Sequence, residues 1–160
     1  MLTRLLPDQV SNFWDVIKYA IEESAPPIAV VNPNMLNNIL MSILSNKTQC
    51  WVSYRRENEK LIFEAVALTK ILYDDVSDTR NLLIYCIYGY ENTVEESWMS
   101  GFLAIAKFAK SQNCHQIIAY SNIPYIVQKA KKYGANTDFT FIAFDIPKTS
   151  NKILNNEIIK

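Results

Sequence analysis

Apolar residues in the middle of the chain follow a strand–helix–strand pattern. Residues 82–90 (LLIYCIYGY) are almost all apolar, which is typical of a strand buried on both faces. Residues 94–111 carry apolar side chains at helical spacing, and residues 116–120 (QIIAY) form a second apolar run. This order predicts a crossover unit whose two strands lie parallel. The helix stripe expected to face the sheet comprises Trp98, Met99, Phe102, Leu103, Ala106 and Ala109.

The residues before this unit predict two helices and an antiparallel run of strands. Amphipathic spacing places a helix over residues 7–23 and a second one from Pro33 to residue 44. Two strands, residues 49–54 and 61–73, follow, with a charged connection between them. The acidic, polar residues 74–81 are suited to a further reversal that leads into the central strand.

The residues after the crossover unit predict one more helix and one more strand. The helix begins near Pro124 and ends at Gly134, a residue suited to a left-handed C-cap. Residues 139–146 (FTFIAFDI) read as a final strand. The complete order predicts an α+β fold with a mixed central sheet and helices on both faces. We expect a single domain over residues 1–146 and a C-terminal tail over residues 147–160.

Composition narrows the range of functions. Lys plus Arg and Asp plus Glu both number 16 in 160 residues, so no global field attracts nucleic acid or anionic lipid. The three cysteines are odd in number and far apart, which is typical of packed reduced thiols in a cytoplasmic protein. No apolar run approaches the roughly 18 residues of a membrane span, and none at the start reads as a signal peptide. A single histidine, His115, gives no metal-ligand cluster and is interpreted as a strand-end residue.

The segment over residues 99–134 carries the closest likeness to a known family. A helix ending FAKSQNC leads to the strand QIIAY, then to Ser121-Asn122-Ile-Pro and a KKYG terminus. With the element order, this resembles the Gcn5-related N-acetyltransferase (GNAT) family over residues 1–146, including its compact phage and prophage members. The resemblance implies a GNAT-like acyl-CoA N-acyltransferase fold. It also implies acetyl transfer from acetyl-CoA to an amine.

The resemblance also implies where a cofactor would bind. In the family, the fourth strand splays from the fifth at a bulge, and a glycine-rich loop with a basic residue presents backbone N–H groups to the diphosphate. Two groups here are candidates for proton transfer: Glu91, directly after the central strand, and Tyr125, at the start of the following helix. The implied cofactor-binding residues are Ile87, Tyr88, Gly89, Val94, Glu95, Glu96, Ser97 and Asn122.

Several residues depart from the family pattern. The loop over residues 89–97 has one glycine and no basic residue, and Glu95 and Glu96 occupy the first helical turn, where the diphosphate should lie. Thr93 and Glu96 have the spacing of a capping box, which would satisfy the helix N-terminus internally. Ala130 stands where the family often has tyrosine.

Two hypotheses therefore stay open. The chain is an acyl-CoA-dependent N-acyltransferase, or it is a catalytically degenerate binding or structural module that does not use acetyl-CoA. In the second case, apolar residues within 153–159 and an exposed strand face would contact a protein partner or a second copy of the chain.

Three groups of side chains allow both a structural and a functional interpretation. The acidic residues between 74 and 96 are either solvated loops or a pocket for a cationic partner. The lysines of the last two helices are either solvated or a weak phosphate-contacting patch. The tyrosines either pack on the sheet or line a cleft; they are Tyr85, Tyr88, Tyr90, Tyr120 and Tyr125.

Overall fold

A computed structural model describes residues 2–29, 32–90 and 95–146. The chain divides into two compact units, Met1–Ser121 and Asn122–Lys160. The first unit holds a five-stranded sheet in the order β1-β2-β3-β4-β5. Its strands are β1 (Thr3–Arg4), β2 (Thr48–Glu57), β3 (Lys60–Asp74), β4 (Thr79–Gly89) and β5 (Gln116–Ala119).

The sheet is mixed, as predicted. The first four strands pair antiparallel in chain order, whereas β5 pairs parallel to β4. The helix between β4 and β5 supplies the long connection that a parallel pair requires. Strand β1 was not predicted, because two residues are too few for an alternating pattern.

Helices precede and follow the antiparallel run. The α-helices of the first unit are α1 (Pro7–Val10), α2 (Trp14–Ser24), α3 (Met35–Leu44) and α4 (Glu95–Ser111). The prediction of one continuous helix over residues 7–23 is wrong, because a 3-10 turn at Ser11–Phe13 separates α1 from α2. Phe13 has φ −124° and leaves the helical region, and the Ser-Asn pair before it favours local alternatives to the helix.

The core lies on both faces of the sheet. On one face, Val52, Val66 and Leu68 pack with Ile17 and Ile21 of α2. On the other face, a second cluster joins the sheet to α4; its members include Leu2, Trp51, Ala67, Leu82, Ile105 and Ala109. Neighbouring strand residues therefore alternate between the two clusters, which confirms the prediction of helices on both faces.

Two details of this unit differ from the predictions. The connection between β2 and β3 is shorter than expected. Only Asn58 and Glu59 form the turn, with φ 48° and 64°. The inward stripe of α4 differs in part: Ala109 is buried as predicted, but Ile105, which lies outside the predicted stripe, is also buried, whereas Met99 and Leu103 are 41% and 49% exposed. Large apolar residues lie on two adjacent faces of the helix, so their spacing alone does not show which face is buried.

The second unit contains α5 (Pro124–Lys132). Gly134 adopts φ 86°, so the predicted left-handed C-cap is confirmed. The predicted strand over residues 139–146 is wrong: none of these residues is in a strand. Phe139 and Phe144 are 83% and 71% exposed, because strand propensity is realised only when a neighbouring edge is paired. The predicted tail over residues 147–160 lies outside the described residues.

No helix in the described part of the chain combines the length and the apolar character that crossing a membrane would require.

Candidate functional site

A β-bulge interrupts β4 near its middle. Cys86 pairs with Leu68 of β3, whereas Ile84 pairs with the next residue, Thr69. Tyr85 is therefore an extra residue without a partner in the β3–β4 register. A bulge of this kind bends the strand and increases its twist.

The bulge coincides with the end of the pairing between β4 and β5. Ile84, opposite Ala119, is the last β4 residue in that register. From Tyr85 to Gly89, β4 has no β5 partner among the described residues. The β5-facing edge of β4 is thus open over its C-terminal half.

The bulge also decides which backbone groups face that open edge. The C=O of Arg80 accepts from the N–H of His115, on the β5 side, at 2.6 Å. The N–H of Tyr90 donates to the C=O of Glu64 in β3 at 2.9 Å. In a regular strand, positions 80 and 90 would face the same neighbour. Because Tyr85 adds one residue between them, Ile87 and Gly89 direct their backbone groups to the open edge.

Some predicted cofactor residues lie on α4. Glu95 and Glu96 are in its first turn, with Glu95 half-buried and Glu96 exposed, and Ser97 is half-buried. Carboxylates in a first turn interact favourably with the helix dipole, but they occupy the end at which an anion would bind. The predicted residues Glu91 and Val94 and the Thr93 capping box fall outside the described residues.

The remaining predicted residues are in the second unit. Asn122 is exposed just before α5, and Tyr125 lies in the first turn of α5. The ammonium of Lys129 sits 5.4 Å from the centroid of the Tyr125 ring. A catalytic role for Tyr125 stays a prediction.

Tyrosines do cluster at the C-terminal end of β4. The rings of Tyr88 and Tyr90 are 4.9 Å apart, and both contact Tyr19 of α2, which sequence reasoning missed. The hydroxyl of Tyr90 donates to the C=O of Val16, and burial raises the pKa of Tyr90 to about 12. Tyr90 therefore stays protonated at neutral pH, with its hydroxyl proton donated to the Val16 C=O. Tyr85, Tyr88 and Tyr90 also pack against the core cluster that includes α2.

A carboxylate that sequence reasoning overlooked lies beside this end of β4. Glu64 falls between the paired residues Phe63 and Ala65, at a second register shift, and its C=O holds the N–H of Tyr90. Its carboxylate accepts from the hydroxyl of Ser53 at 2.6 Å and lies 3.6 Å from Arg55. The alternating strand pattern did not mark Glu64, because the irregular pairing arises only between assembled strands.

Metal chemistry has no candidate residues in the parts of the chain that the structure covers. Within 2–29, 32–90 and 95–146, no three histidine, cysteine or acidic side chains are grouped as metal ligands would be. Cys50, Cys86 and Cys114 are free thiols.

Comparison with known proteins gives the class of fold. No protein-family profile and no curated protein sequence matches the chain. Among solved structures, a predicted acetyltransferase with acetyl-CoA from Clostridium acetobutylicum is similar, with 17% identity and TM-score 0.65, over 92% of this chain and 97% of that one. A ribosomal-protein-alanine N-acetyltransferase from Brucella melitensis has 11% identity and TM-score 0.62, over 90% and 98%.

A third similar structure is an aminoglycoside acetyltransferase from an uncultured soil metagenomic sample, in complex with sisomicin. It has 12% identity and TM-score 0.65, over 90% of this chain and 93% of that chain. The chain therefore has the α+β GNAT acyltransferase fold that its sequence resembles.

Proposed function

We propose that the protein is an acyl-CoA-dependent N-acyltransferase that acts on an amine. The observation that carries the proposal is the open edge of β4 after Ile84, where Ile87 and Gly89 turn their backbone groups outward. Such an edge can bind an extended amide-containing chain as a neighbouring strand would, and the pantetheine arm of acetyl-CoA has that chemistry. Acetyl-CoA would supply the activated acyl group.

An amine substrate must lose a proton during acyl transfer, and the chain offers acidic groups for this step. Glu64 is two-tenths exposed and its C=O accepts from the N–H of Tyr90, so it is a carboxylate beside the C-terminal end of β4. Glu91 and Tyr125 are the further candidates from sequence. The named activities of two structural neighbours, on ribosomal-protein alanine and on aminoglycosides, support an amine as the acceptor.

A second candidate function is a degenerate module that does not use acetyl-CoA. Glu95 and Glu96 favour it, because two carboxylates at the start of α4 oppose a diphosphate. Each would cost about 1 kcal/mol, by Coulomb's law for two unit charges about 4 Å apart at the dielectric constant of water, about 80. Such a module would resemble compact phage proteins of this fold. It would act in the cytoplasm by binding a protein partner or a second copy of the chain.

Calorimetry with acetyl-CoA separates the two functions. A 1:1 stoichiometry with a dissociation constant of about micromolar size supports the enzyme, in the usual range of substrate affinities. Absence of heat up to about millimolar ligand supports the module.

A matched pair of variants tests the open edge itself. Gly89→Pro removes the outward N–H, which is not part of the β3 ladder, whereas Gly89→Ala keeps it. We expect Gly89→Pro to weaken acetyl-CoA binding by about tenfold, the value of a hydrogen bond of roughly 1.4 kcal/mol. Gly89→Ala should stay within about twofold. Equal affinity of the two variants, both with native melting temperatures, would show that the Gly89 N–H does not bind the cofactor.

A further inference from the structure

A cavity lies at the opposite end of β4 from the open edge. It has a volume of about 780 Å³ and is formed by the β3–β4 turn, the C-terminal end of α4 and the start of β5. This volume is within the range of small-molecule sites. The 17 residues of α4 span about 25 Å, so the cavity is well separated from the start of that helix.

Three basic side chains line this cavity. Arg80 comes from β4, Lys110 from the last turn of α4 and His115 from the residue before β5. Amide and hydroxyl groups of Thr79, Asn113 and Gln116 also line it. Arg80 supplies a planar guanidinium that can donate two parallel hydrogen bonds, and Lys110 supplies a compact ammonium. With the neutral donors beside them, these groups suit the binding of phosphate oxygens.

These basic side chains are available to a ligand. In the described part of the chain, Arg80, Lys110 and His115 form no ion pair and no side-chain hydrogen bond. The acidic residue of the cavity, Asp78, instead accepts a hydrogen bond from the Tyr73 hydroxyl at 2.7 Å.

The C-terminal end of α4 does not need these basic side chains as hydrogen-bond donors. Its last carbonyls are already capped by the chain that follows: Ala109 accepts from the N–H of Cys114 at 2.9 Å, and Phe108 accepts from the hydroxyl of Ser111 at 2.7 Å. Asn113 adopts φ 55°, which closes this terminus. Burial raises the pKa of the Cys114 thiol, which also lines the cavity, and the positive charge of Arg80 partly opposes that rise.

We propose that this cavity binds a small phosphate-bearing molecule through Arg80, Lys110 and His115. The binding is independent of acyl transfer at the open edge of β4. The distance between the two ends makes it a separate site, so failure of either proposal leaves the other to its own test.

Inorganic pyrophosphate is the probe for this site. Because His115 is the only histidine, its imidazole gives a single set of NMR signals that reports on the cavity directly. We expect these signals to shift and saturate as pyrophosphate is added to the full chain. Heat of binding without a shift of His115 would place the anion elsewhere, and no binding up to about 10 mM would also overturn the proposal.

Charge-removing variants provide the second arm of the test. Arg80→Gln and Lys110→Gln should each weaken pyrophosphate binding by about tenfold or more, because hydrogen bonds to charged groups are the strong ones. Lys107→Gln is the control, since Lys107 is exposed on the same helix but does not line the cavity. Equal weakening by Lys107→Gln would indicate general electrostatic attraction and overturn the site. The backbone bond between Arg80 and His115 is retained in every variant.

Discussion

At the scale of single residues, a buried polar chain ties β2 to β3. The indole N–H of Trp51 donates to the hydroxyl of Thr69 at 2.9 Å, and that hydroxyl donates to the side-chain oxygen of Gln49 at 3.1 Å. Thr69 is fully buried, so water cannot replace a lost partner. A buried donor that has no acceptor has lost its hydrogen bonds to water without gaining any in the protein, which destabilises the folded state.

Replacing the central hydroxyl should therefore be costly. We expect Thr69→Val, which keeps the side-chain shape, to lower the free energy of unfolding by about 1–3 kcal/mol. Thr137→Val is the matched control, because the buried Thr137 hydroxyl has no hydrogen-bond partner among the described residues and its removal should be neutral or stabilising. Chemical denaturation measures both. A Thr69→Val variant as stable as the unchanged protein would contradict the network.

The buried thiols make stability sensitive to alkaline pH. Burial raises the pKa of Cys50 from 9.0 to about 12 and that of Cys86 from 9.0 to about 11. Above pH 9 the unfolded chain releases these protons while the folded chain keeps them, so the free energy of unfolding falls as pH rises toward 11 and 12.

The variant Cys50→Ala tests this. It should be less stable than the unchanged protein near neutral pH, because it leaves a small cavity. The stability difference should narrow between about pH 8 and about pH 10.5, since the variant lacks one of the titrating groups. A difference that stays constant across this range, measured by urea denaturation at each pH, would refute the assignment.

At the scale of elements, β4 and α4 set opposite conditions for a cofactor. The bulge at Tyr85 frees backbone groups of Ile87 and Gly89, which favours binding of an extended arm. The first turn of α4 holds Glu95 and Glu96, which disfavour a diphosphate. One end of the predicted cofactor path is therefore suited to its ligand, and the other end opposes it.

Neutralising both carboxylates separates these effects. In Glu95→Gln/Glu96→Gln, we expect acetyl-CoA to bind about thirtyfold more tightly, because about 1 kcal/mol of repulsion is removed for each charge and about 2 kcal/mol for the pair. The melting temperature should fall slightly, since acidic residues in a first turn contribute about 0.3–1 kcal/mol. The control is Glu22→Gln on α2. Unchanged or weaker acetyl-CoA binding in calorimetry would mean that the diphosphate does not approach this turn.

At the scale of the whole molecule, charge and exposed apolar surface determine solubility. Basic and acidic residues balance at 16 each, and the isoelectric point is about 6.6. Several large apolar residues of the second unit are exposed, among them Phe139 and Phe144. Neutral molecules with grouped exposed apolar side chains associate readily.

Solubility should therefore be lowest near pH 6.6. We expect Phe139→Ser/Phe144→Ser to raise the solubility at that pH, measured as the protein concentration left after precipitation. Val76→Ser should change it less, because Val76 is 92% exposed but is only one side chain, whereas the double variant removes two. A solubility maximum near pH 6.6, or equal effects of the two changes, would contradict this account.

Much of the first unit could be predicted from sequence, because its signals are local and strong. Residues 82–90 and 116–120 predicted β4 and β5, and helical spacing predicted α4, since burial on a sheet imposes these periods. The prediction of a strand over residues 139–146 was wrong because it used local signals alone. The segment's apolar composition satisfies the propensity of a strand, but a strand also needs a paired edge, and no local pattern records that partner.

The candidate site was only half accessible to the same reasoning. The sequence indicated Ile87 and Gly89 through the resemblance to a family, but not the reason that their backbone groups are free. Glu64 and Tyr19 were missed, because they approach the end of β4 only when β3 and α2 pack around it. The roles of Glu91 and Tyr125, the single domain over residues 1–146 and the cytoplasmic location stay predictions.

By itself, the sequence determined the order of the elements from α3 to α5, the mixed sheet and the acidic start of α4, because side-chain periodicity and charge are properties of each local stretch of residues. Only the tertiary structure decided the register of the strands. One extra residue at Tyr85 reverses which backbone groups face outward, and the same assembly brings Arg80, Lys110 and His115 to one cavity. The strand register and the meeting of these three side chains depend on contacts between segments that are distant in sequence. No local stretch of sequence determines the energies of those contacts.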